Sequence, residues 1–386
     1  MHQPIAITGF YSISAASQNP VLESKHNLLF DKQLQAWVGR LPHGLQVEIQ
    51  KIRDENRNYQ GLDDSVLYAM FTSREAVKHA QWQSGSGYGI NIGSSRGATQ
   101  LFEHYYSAFA KDKHTETLAS PTTTLGNISS WVAQDLQNDG PEISHSITCS
   151  TALHALLNGV AWLRSGMCER FLVGGSEAAL TPFTIAQMRA MKTYSRANEN
   201  TGYPCRALDP DKKENTMVLG EGAASACLEL GACKNALAYV TGVGYATETL
   251  THAVSVTKEA DCFQKSMKMA LGGKSPALID AIVMHAPGTM LGDASEAGAI
   301  LKVFGESLPL LTTNKWKLGH TFGASGLLNL ELAIAILQKQ KILEIPYVSP
   351  QTQRLNKIGT GKEIKNILVN AVGFGGNAVS ILVSKP

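Results

Sequence analysis

The stretch ISHSITCSTALHALLNGVAWLRSG, residues 143–166, decides the fold because it predicts a short strand followed directly by a helix. Residues 143–148 are rich in β-branched side chains over the length of a strand. Apolar residues then recur at the spacing of one helix face, at Leu153, Leu156, Leu157 and Val160. Gly166 follows where the helix is expected to end. This step indicates an α/β protein and puts Cys149 in the first turn of the helix.

Cys149 is a candidate nucleophile because of that position. Unpaired backbone N–H groups and the positive end of the helix dipole favour the thiolate over the thiol. The thiolate is the nucleophilic form of cysteine. A free cysteine is as often a small, inert residue of the core. The stretch by itself leaves both interpretations open.

The composition describes a packed globular chain. Its 386 residues are 44% hydrophobic and only 17% charged, which favours an oligomer. A net charge of +2 without basic runs gives no sign of nucleic-acid binding or of a polybasic membrane anchor. Residues 1–14 lack the features of a signal peptide and predict a first strand. The longest apolar stretch, 327–337, is interrupted by Asn329 and Glu331, so no transmembrane helix is expected.

The cysteines show no CxxC pair, no zinc-like spacing and too low a density for a disulfide scaffold. A reducing compartment fits this pattern, and we expect a cytoplasmic protein. We interpret all but the first as core residues. The six are Cys149, Cys168, Cys205, Cys227, Cys233 and Cys262.

Strand and helix patterns alternate along the chain, and the two halves share the same rhythm. This predicts an internal duplication, with one half at residues 1–235 and the other at 236–386. The polar region 15–60 is expected to be an insertion or a lid-like loop. Further strands are predicted at 88–94, 171–174, 221–229, 238–245, 281–285, 308–313, 367–372 and 378–383. Helices are predicted at 67–80, 97–109, within 121–138, and at 259–271, 294–303 and 325–339.

A closer parallel joins the two halves. In the first, a strand leads to Cys149 and then STALHALL; in the second, a strand leads to His320 and then TFGASGLLNLEL. Each half therefore has a reactive side chain before a helix rich in small residues. A duplicated fold would bring the two helix starts together at the centre, and Cys149 and His320 with them.

Two histidines lie in glycine-rich turns after predicted strands. They are His285, in VMHAPGTMLGD, and His320, in KLGHTFGASG. Such turns allow a substrate to approach the backbone closely. A single histidine is more often a hydrogen-bonded structural residue, but two such turns together with Cys149 favour a catalytic site.

Six ordered motifs, spanning nearly the whole chain, resemble those of the β-ketoacyl-acyl carrier protein synthases. Three of them resemble the family's nucleophile, His-x-x-Gly-Thr and Gly-His-x-x-Gly-Ala segments. The motifs are ITCSTALHAL, CRALD, VLGEGAA, HAPGTMLGDASEAGAI, NKWKLGHTFGASG and NAVGFGGN.

The resemblance implies a thiolase-like fold, in which two duplicated halves form five layers, αβαβα, usually in a dimer. It also implies an elongating condensing enzyme, an acyltransferase of the Cys-His-His kind. His320, in its Gly-His-x-x-Gly-Ala setting, distinguishes this kind from the Cys-His-Asn enzymes that start chains from coenzyme A thioesters.

The resemblance assigns a role to each motif residue. Cys149 would accept an acyl group from an acyl carrier protein, and its backbone N–H would form an oxyanion hole with that of Phe374. His285 and His320 would stabilise the enolate that malonyl-carrier protein forms when it loses carbon dioxide. Phe374 would also gate the acyl pocket. Arg206 and Asp209, in CRALD, are expected to form a structural turn.

Lys315 lies where the family's motif also has a lysine, which is implied to hold the charge and the hydrogen bonds around the histidines. The alternative is a solvated surface lysine. The family often has a glutamate where this chain has Asn329. Glu331 cannot substitute for it, because a shift of two residues along a helix turns the side chain by about 200°.

The resemblance implies no metal or organic cofactor, and each reactive side chain stands alone in its motif, which argues against zinc. It implies acyl- and malonyl-loaded carrier protein as partners, and a homodimer or a heterodimer with a chain-length factor. Residues 93–99, GSSRGAT, with the departures HAPGT and NAVGFGGN, are similar to condensing enzymes of aryl polyene and flexirubin-type pigment pathways.

Two rival functions remain. One is a non-catalytic chain-length factor, which would keep the fold but lose the nucleophile that this chain retains at Cys149. The other is ordinary fatty-acid elongation, the same chemistry on saturated chains. The type of acyl donor that loads Cys149 separates these readings.

Overall fold

The computed structural model describes residues 3–17, 19–83, 85, 87–125, 127–249, 256–348 and 363–386. In the first half the strands are β1 (Ile5–Ser14), β2 (Leu29–Asp31), β3 (Ala36–Gly39), β4 (Gly89–Gly93), β5 (Glu142–Ile143), β6 (Arg170–Glu177), β7 (Leu219–Gly220) and β8 (Gly222–Leu230). In the second they are β9 (Ala238–Thr247), β10 (Ala281–Val283), β11 (Leu310–Thr312), β12 (Asn366–Gly373) and β13 (Asn377–Ser384).

The helices lie between these strands, and several carry one apolar face. The first half has α1 (His43–Glu55), α2 (Asp64–Ala80), α3 (Thr99–Asp112), α4 (Ala119–Thr123), α5 (Asn127–Asp135), α6 (Thr151–Ser165) and α7 (Pro182–Ala190). The second has α8 (Asp261–Leu271), α9 (Met290–Phe304), α10 (Lys315–Leu318) and α11 (Ser325–Lys339). Of the helices in these described ranges, none is long and apolar enough to cross a bilayer.

Ten of the described strands are hydrogen-bonded in the order β11-β10-β12-β13-β9-β1-β8-β6-β4-β5. The first five belong to the second half of the chain and the last five to the first half. Both sets have the same pairing. In each set the two outermost strand pairs are parallel, in the runs β11-β10-β12 and β5-β4-β6. The next two pairs in each set are antiparallel. This agreement supports the predicted internal duplication.

Two helices occupy the centre of the molecule. Helix α6 packs on β4, β6 and β8 and also contacts β13, whereas α11 packs on β10 and β12 and also contacts β8, β6 and β1. Helix α2 covers β1, β8 and β6, and α8 covers β9 and β13. The strands of each half thus lie between an outer helical layer and a shared inner one. This is the expected five-layer αβαβα arrangement.

The inner helices meet at their N-terminal ends, where the sequence placed the reactive side chains. Gly326, in the first turn of α11, lies so close to α6 that an added Cβ would be 2.6 Å from Leu153 Cγ. Only a residue without a side chain allows this approach. The two helix starts are therefore in contact, as the duplication predicts.

The predicted strand at 143–148 is wrong beyond its first residue, since β5 ends at Ile143. Local side-chain hydrogen bonds replace the ladder here. The hydroxyl of Ser144 accepts from the backbone of Ser129 at 3.1 Å, and Thr151 Oγ1 accepts from the Ile147 N–H at 2.9 Å. The segment that leads to the cysteine is thus an irregular loop.

The region 15–60 is also more regular than expected. It contains β2, β3 and helix α1, whose buried side chains are Ile49 and Ile52. A helix that buries so few residues gives a weak periodic signal. Helix α7 was not predicted either, although Thr181 caps it and Pro182 occupies its first turn, which is a recognisable start signal.

Candidate active site

A cavity of about 250 Å³ lies beside the start of α6. The candidate residues Cys149, His285, His320 and Phe374 all line it. They come from four separate segments of the chain, which the two halves of the fold bring together. The remaining lining is mostly apolar and includes Met188, Met217, Val256, Pro287, Leu291, Phe322 and Val372.

Cys149 lies just before the helix rather than in its first turn, because Ser150 is the N-cap of α6. Burial raises the pKa of its thiol to about 12, and Glu177 acts in the same direction. Lys315 and the cysteine's own backbone N–H lower this pKa, but less strongly. The expected lowering by the helix end is therefore wrong for the resting protein, in which desolvation prevails.

The residue before the cysteine has an unusual backbone. Thr148 has a φ of 47°, in the left-handed region that β-branched residues rarely adopt. Such conformations persist only where the surrounding structure imposes them, and they cluster at functional sites. The turn that results holds Cys149 at the cavity wall.

The two histidines form a perpendicular pair. The ring centroids of His285 and His320 are 5.2 Å apart, with an interplanar angle of 89°. Burial lowers the pKa of His320 to about 3 and that of His285 well below its usual value, and the charge of Lys315 adds to both shifts. Both rings are therefore neutral near pH 7.

Glu296, on α9, fixes the backbone that carries the first histidine. Its Oε1 accepts from the His285 N–H at 3.0 Å, and its Oε2 accepts from the Ala286 N–H at 2.9 Å. Asn370 Nδ2 also donates to Oε1, at 3.1 Å. Glu296 lies within the motif HAPGTMLGDASEAGAI, but the motif alone did not indicate a role for it. A charged residue on the predicted helix after a histidine turn is the signal that could have found it.

Lys315 lies behind the cavity wall and is 1% exposed, so it is not a surface lysine. Its Nζ donates to Asn329 Oδ1 at 2.7 Å and to Asn314 Oδ1 at 3.2 Å. Glu331 has a hydrogen bond with Ser12 and lines a different cavity. Asn329 thus accepts the hydrogen bond of Lys315 at the position where the resemblance implies a glutamate. Glu331 does not replace that glutamate, as the helix geometry predicted.

Phe374 lies at the mouth of the cavity and is 37% exposed. Its carbonyl accepts from Thr148 Oγ1 at 3.3 Å and from Asn377 Nδ2 at 3.1 Å. A Cβ added to Gly373 would lie 1.9 Å from Thr148 Oγ1. The glycine loop is therefore packed tightly against the residue that precedes Cys149.

Glu177, at the end of β6, joins two loops next to the site. Its Oε1 accepts from Ser94 Oγ at 3.0 Å, from the Gly323 N–H at 3.2 Å and from the backbone N–H of Ser95. Burial raises the pKa of this carboxyl to about 7. The sequence signal that could have identified Glu177 is a charged residue at the end of the buried strand FLVGGSE.

The other polar residues named from the sequence are structural. Arg206 Nε donates to Asp209 Oδ2 at 2.5 Å, as the CRALD turn predicted. Among the cysteines, Cys205, Cys227 and Cys262 are buried, whereas Cys168 and Cys233 are only partly so, which corrects their assignment to the core. All six cysteines, which lie in the described part of the chain, are free thiols.

Comparisons with known proteins show which family the chain belongs to. The family model described as "Beta-ketoacyl synthase, N-terminal domain" matches residues 30–232. The model described as "Beta-ketoacyl synthase, C-terminal domain" matches residues 236–348. The first of these matches alone covers more than half of the chain.

Individual proteins show the same likeness. The chain is 25% identical to 3-oxoacyl-[acyl-carrier-protein] synthase 1 of Buchnera aphidicola subsp. Baizongia pistaciae, over 99% of both chains. It is similar in fold to the ishigamide ketosynthase/chain length factor, with a TM-score of 0.85 at 19% identity over 100% of both chains. It is also similar in fold to a ketosynthase solved in complex with its type II PKS acyl-carrier protein. The TM-score is 0.84 at 17% identity, over 100% of both chains. The chain belongs to the β-ketoacyl synthase family.

Proposed function

We propose that this chain is a β-ketoacyl-acyl carrier protein synthase, which condenses malonyl-carrier protein with an acyl group held on Cys149. The observation that carries the proposal is the single cavity lined by Cys149, His285, His320 and Phe374. A nucleophile, two neutral imidazoles and a glycine loop around an apolar space are the groups that this reaction needs.

The first step loads the cysteine. Cys149 Sγ attacks the thioester carbonyl of an acyl-carrier protein, and the backbone N–H groups of Cys149 and Phe374 stabilise the oxyanion. The carrier sulfur leaves and takes up the proton that the thiol gives up, so the protons balance. The positive charge of Lys315 favours the thiolate during the attack, because it lowers the pKa of Cys149.

The second step forms the carbon–carbon bond. The carboxylate of malonyl-carrier protein leaves as carbon dioxide, and its electron pair passes to the enolate. Ring N–H groups of His285 and His320 stabilise the enolate oxygen, which is easier for neutral rings held in a desolvated site. The enolate carbon attacks the acyl group, the C–S bond breaks, and the Cys149 thiolate takes a proton from water.

An acidic carrier protein would be attracted by a basic surface next to the cavity mouth. A cleft of about 770 Å³ is lined by Lys32, Arg189, Lys192 and Arg196. Lys192 directly precedes Thr193, a lining residue of the active-site cavity. We propose that carrier protein docks on these four cations, in agreement with electrostatic steering of charged partners.

We also propose that the enzyme works in the cytoplasm.

A second subunit is the other partner that we propose, either another copy of this chain or a chain-length-factor-like protein. Helix α3 exposes Phe102 (62%), Tyr106 (63%) and Phe109 (45%) on one side. An aromatic face of this kind marks a protein interface more often than a free surface. A sedimentation-velocity measurement that gives the mass of one chain would contradict the proposal.

The loading step is tested by incubating the protein with carrier-protein thioesters and weighing the intact protein. We expect an acyl adduct on Cys149 in the wild type and none in Cys149→Ala, while both keep the same far-UV circular dichroism. A saturated and a polyenoyl donor should be compared, because we propose the polyenoyl chain of the aryl polyene type as substrate. Absence of an adduct from every donor, with the fold intact, would favour a chain-length factor instead.

A further inference from the structure

Asn329 uses its whole side-chain amide in hydrogen bonds. It is fully buried on α11. Its Oδ1 accepts from Lys315 Nζ at 2.7 Å, and its Nδ2 donates to the carbonyls of Met284 and Asn370, each at 3.2 Å. Met284 precedes His285 along the chain, and Asn370 lies on β12, which leads to the loop of Phe374. One amide therefore connects the lysine with two segments of the active site.

This set of bonds requires an amide. A carboxylate has no N–H to donate, so an oxygen in the place of Nδ2 would face two carbonyl oxygens at hydrogen-bond distance. Glutamate, the residue that the resemblance implies here, would have the same defect and one more methylene to accommodate.

Lys315 consequently has neutral partners. In the part of the chain that the structure describes, the hydrogen bonds of its Nζ go to two amide oxygens, those of Asn314 and Asn329. The charged and titratable groups that act on it are farther away, and among the described residues no carboxylate accepts a hydrogen bond from it. They are Glu296 and Asp293 on α9, Cys205, Cys149, and the rings of His285 and His320.

We propose that Asn329 is a positioning residue, which holds Lys315 through a neutral amide so that the lysine's positive charge acts on Cys149 instead of being offset by an adjacent carboxylate. The catalytic meaning of this inference rests on the proposed function. The effect of the lysine's charge on the thiol pKa does not depend on the proposed function, because it concerns the Cys149 thiol alone.

The titration of the lysine makes the proposal measurable. Burial lowers the pKa of Lys315 to about 7, so its charge is present below that pH and is lost above it. That charge lowers the pKa of the Cys149 thiol, whereas Glu177, at the end of β6, raises it. Glu177 has a pKa of about 7 and is common to all the proteins compared, so its effect cancels between them. In Asn329→Asp, a carboxylate next to Nζ would keep the lysine protonated and would offset its charge over the whole range. The wild type and the variant should then differ at low pH and converge at high pH.

The test measures the alkylation rate of Cys149 by iodoacetamide between pH 6 and pH 9, followed by mass spectrometry of the Cys149 peptide. We expect Asn329→Asp to react about tenfold more slowly than the wild type at pH 6, which is the effect of one unit in the thiol pKa. The deficit should shrink as the pH rises past 7. Glu331→Gln, a charge change on the same helix away from Lys315, should track the wild type throughout.

A deficit of the same size at every pH would overturn the proposal, because it would mean that Asn329 acts only through packing. If Asn329→Asp does not fold, Lys315→Gln decides, since removal of the charge should give the same deficit at pH 6 and little at pH 9. If Lys315→Gln showed no deficit at pH 6, the proposal would also be contradicted. The assay uses no carrier protein, so failure of acyl loading in the wild type would overturn the proposed function while leaving this result readable.

Discussion

Burial sets the protonation states of the individual active-site residues. The thiol of Cys149 has a pKa of about 12, and the imidazole of His320 has one of about 3. Both shifts have desolvation as their largest cause, so the resting site holds a neutral thiol beside neutral rings. Charge on the reacting groups themselves then appears only during the reaction, on the attacking sulfur and on the enolate. The charge of Lys315, behind the cavity wall, is the exception in the resting site, and it favours the thiolate.

The histidine shift makes a prediction about acid stability. The pKa of His320 falls from 6.5 to about 3 on folding, so the unfolded chain binds more protons between these values. The stability that this group contributes is therefore complete above pH 6.5 and is lost as the pH falls towards 3. At pH 4 the loss is about 3 kcal/mol. His320→Asn should lack this loss.

The measurement is the free energy of unfolding by urea at pH 7 and at pH 4, for the wild type and for His320→Asn. For each protein we take the change in the free energy of unfolding between pH 7 and pH 4. Comparing these two changes cancels any constant cost of the substitution. His285 and the carboxylates are common to both proteins. Equal losses in both would show that His320 is not buried in its neutral form.

At the scale of elements, the loops on either side of Cys149 and Phe374 hold the site together. Thr148 and Phe374 are joined by a hydrogen bond of 3.3 Å, and Ser150 Oγ donates to Asn377 Oδ1 at 2.6 Å. The sequence predicted the helix after Cys149 well, because Leu153 and Leu156 mark its buried face. It could not predict the loop before it, where side chains of Ser144 and Thr151 satisfy the backbone and β-branched residues imitate a strand.

Gly373→Ala tests the role of the glycine loop. A methyl group here would lie 1.9 Å from Thr148 Oγ1 and 2.8 Å from the Ile147 carbonyl, so the loop must shift by about 1 Å. A displacement of that size at reacting groups costs on the order of 10²-fold in rate. We expect acyl transfer to Cys149 to fall by that factor in stopped-flow acylation.

The matched control is Gly298→Ala on α9, where an added Cβ meets nothing within 4 Å. This substitution should leave acyl transfer unchanged and raise stability by about 1 kcal/mol or less, the usual gain from alanine over glycine in a helix. An unchanged rate in Gly373→Ala, with the protein folded, would mean that the loop has no part in the reaction.

The whole molecule explains how residues 171 positions apart meet in one cavity. The two halves repeat one strand order, and their central helices α6 and α11 begin side by side next to Cys149 and His320. This much followed from the repeated pattern of a strand, a reactive residue and a small-residue helix. The sequence did not indicate how Asn329 and Glu296 would act, since both depend on backbone groups that only the fold brings near. The division of the chain at residue 235 stays a prediction.

The most direct measurement follows the free carboxyl carbon of malonate into carbon dioxide while the lengthened product forms. The enzyme is loaded with an acyl chain on Cys149 and then given malonyl-carrier protein labelled with ¹³C in its free carboxyl group. We predict one equivalent of ¹³CO₂ for each carrier-bound β-ketoacyl product, two carbons longer than the loaded chain, and no such product from Cys149→Ala. A loaded Cys149 that releases no labelled carbon dioxide and gives no longer product would contradict the account.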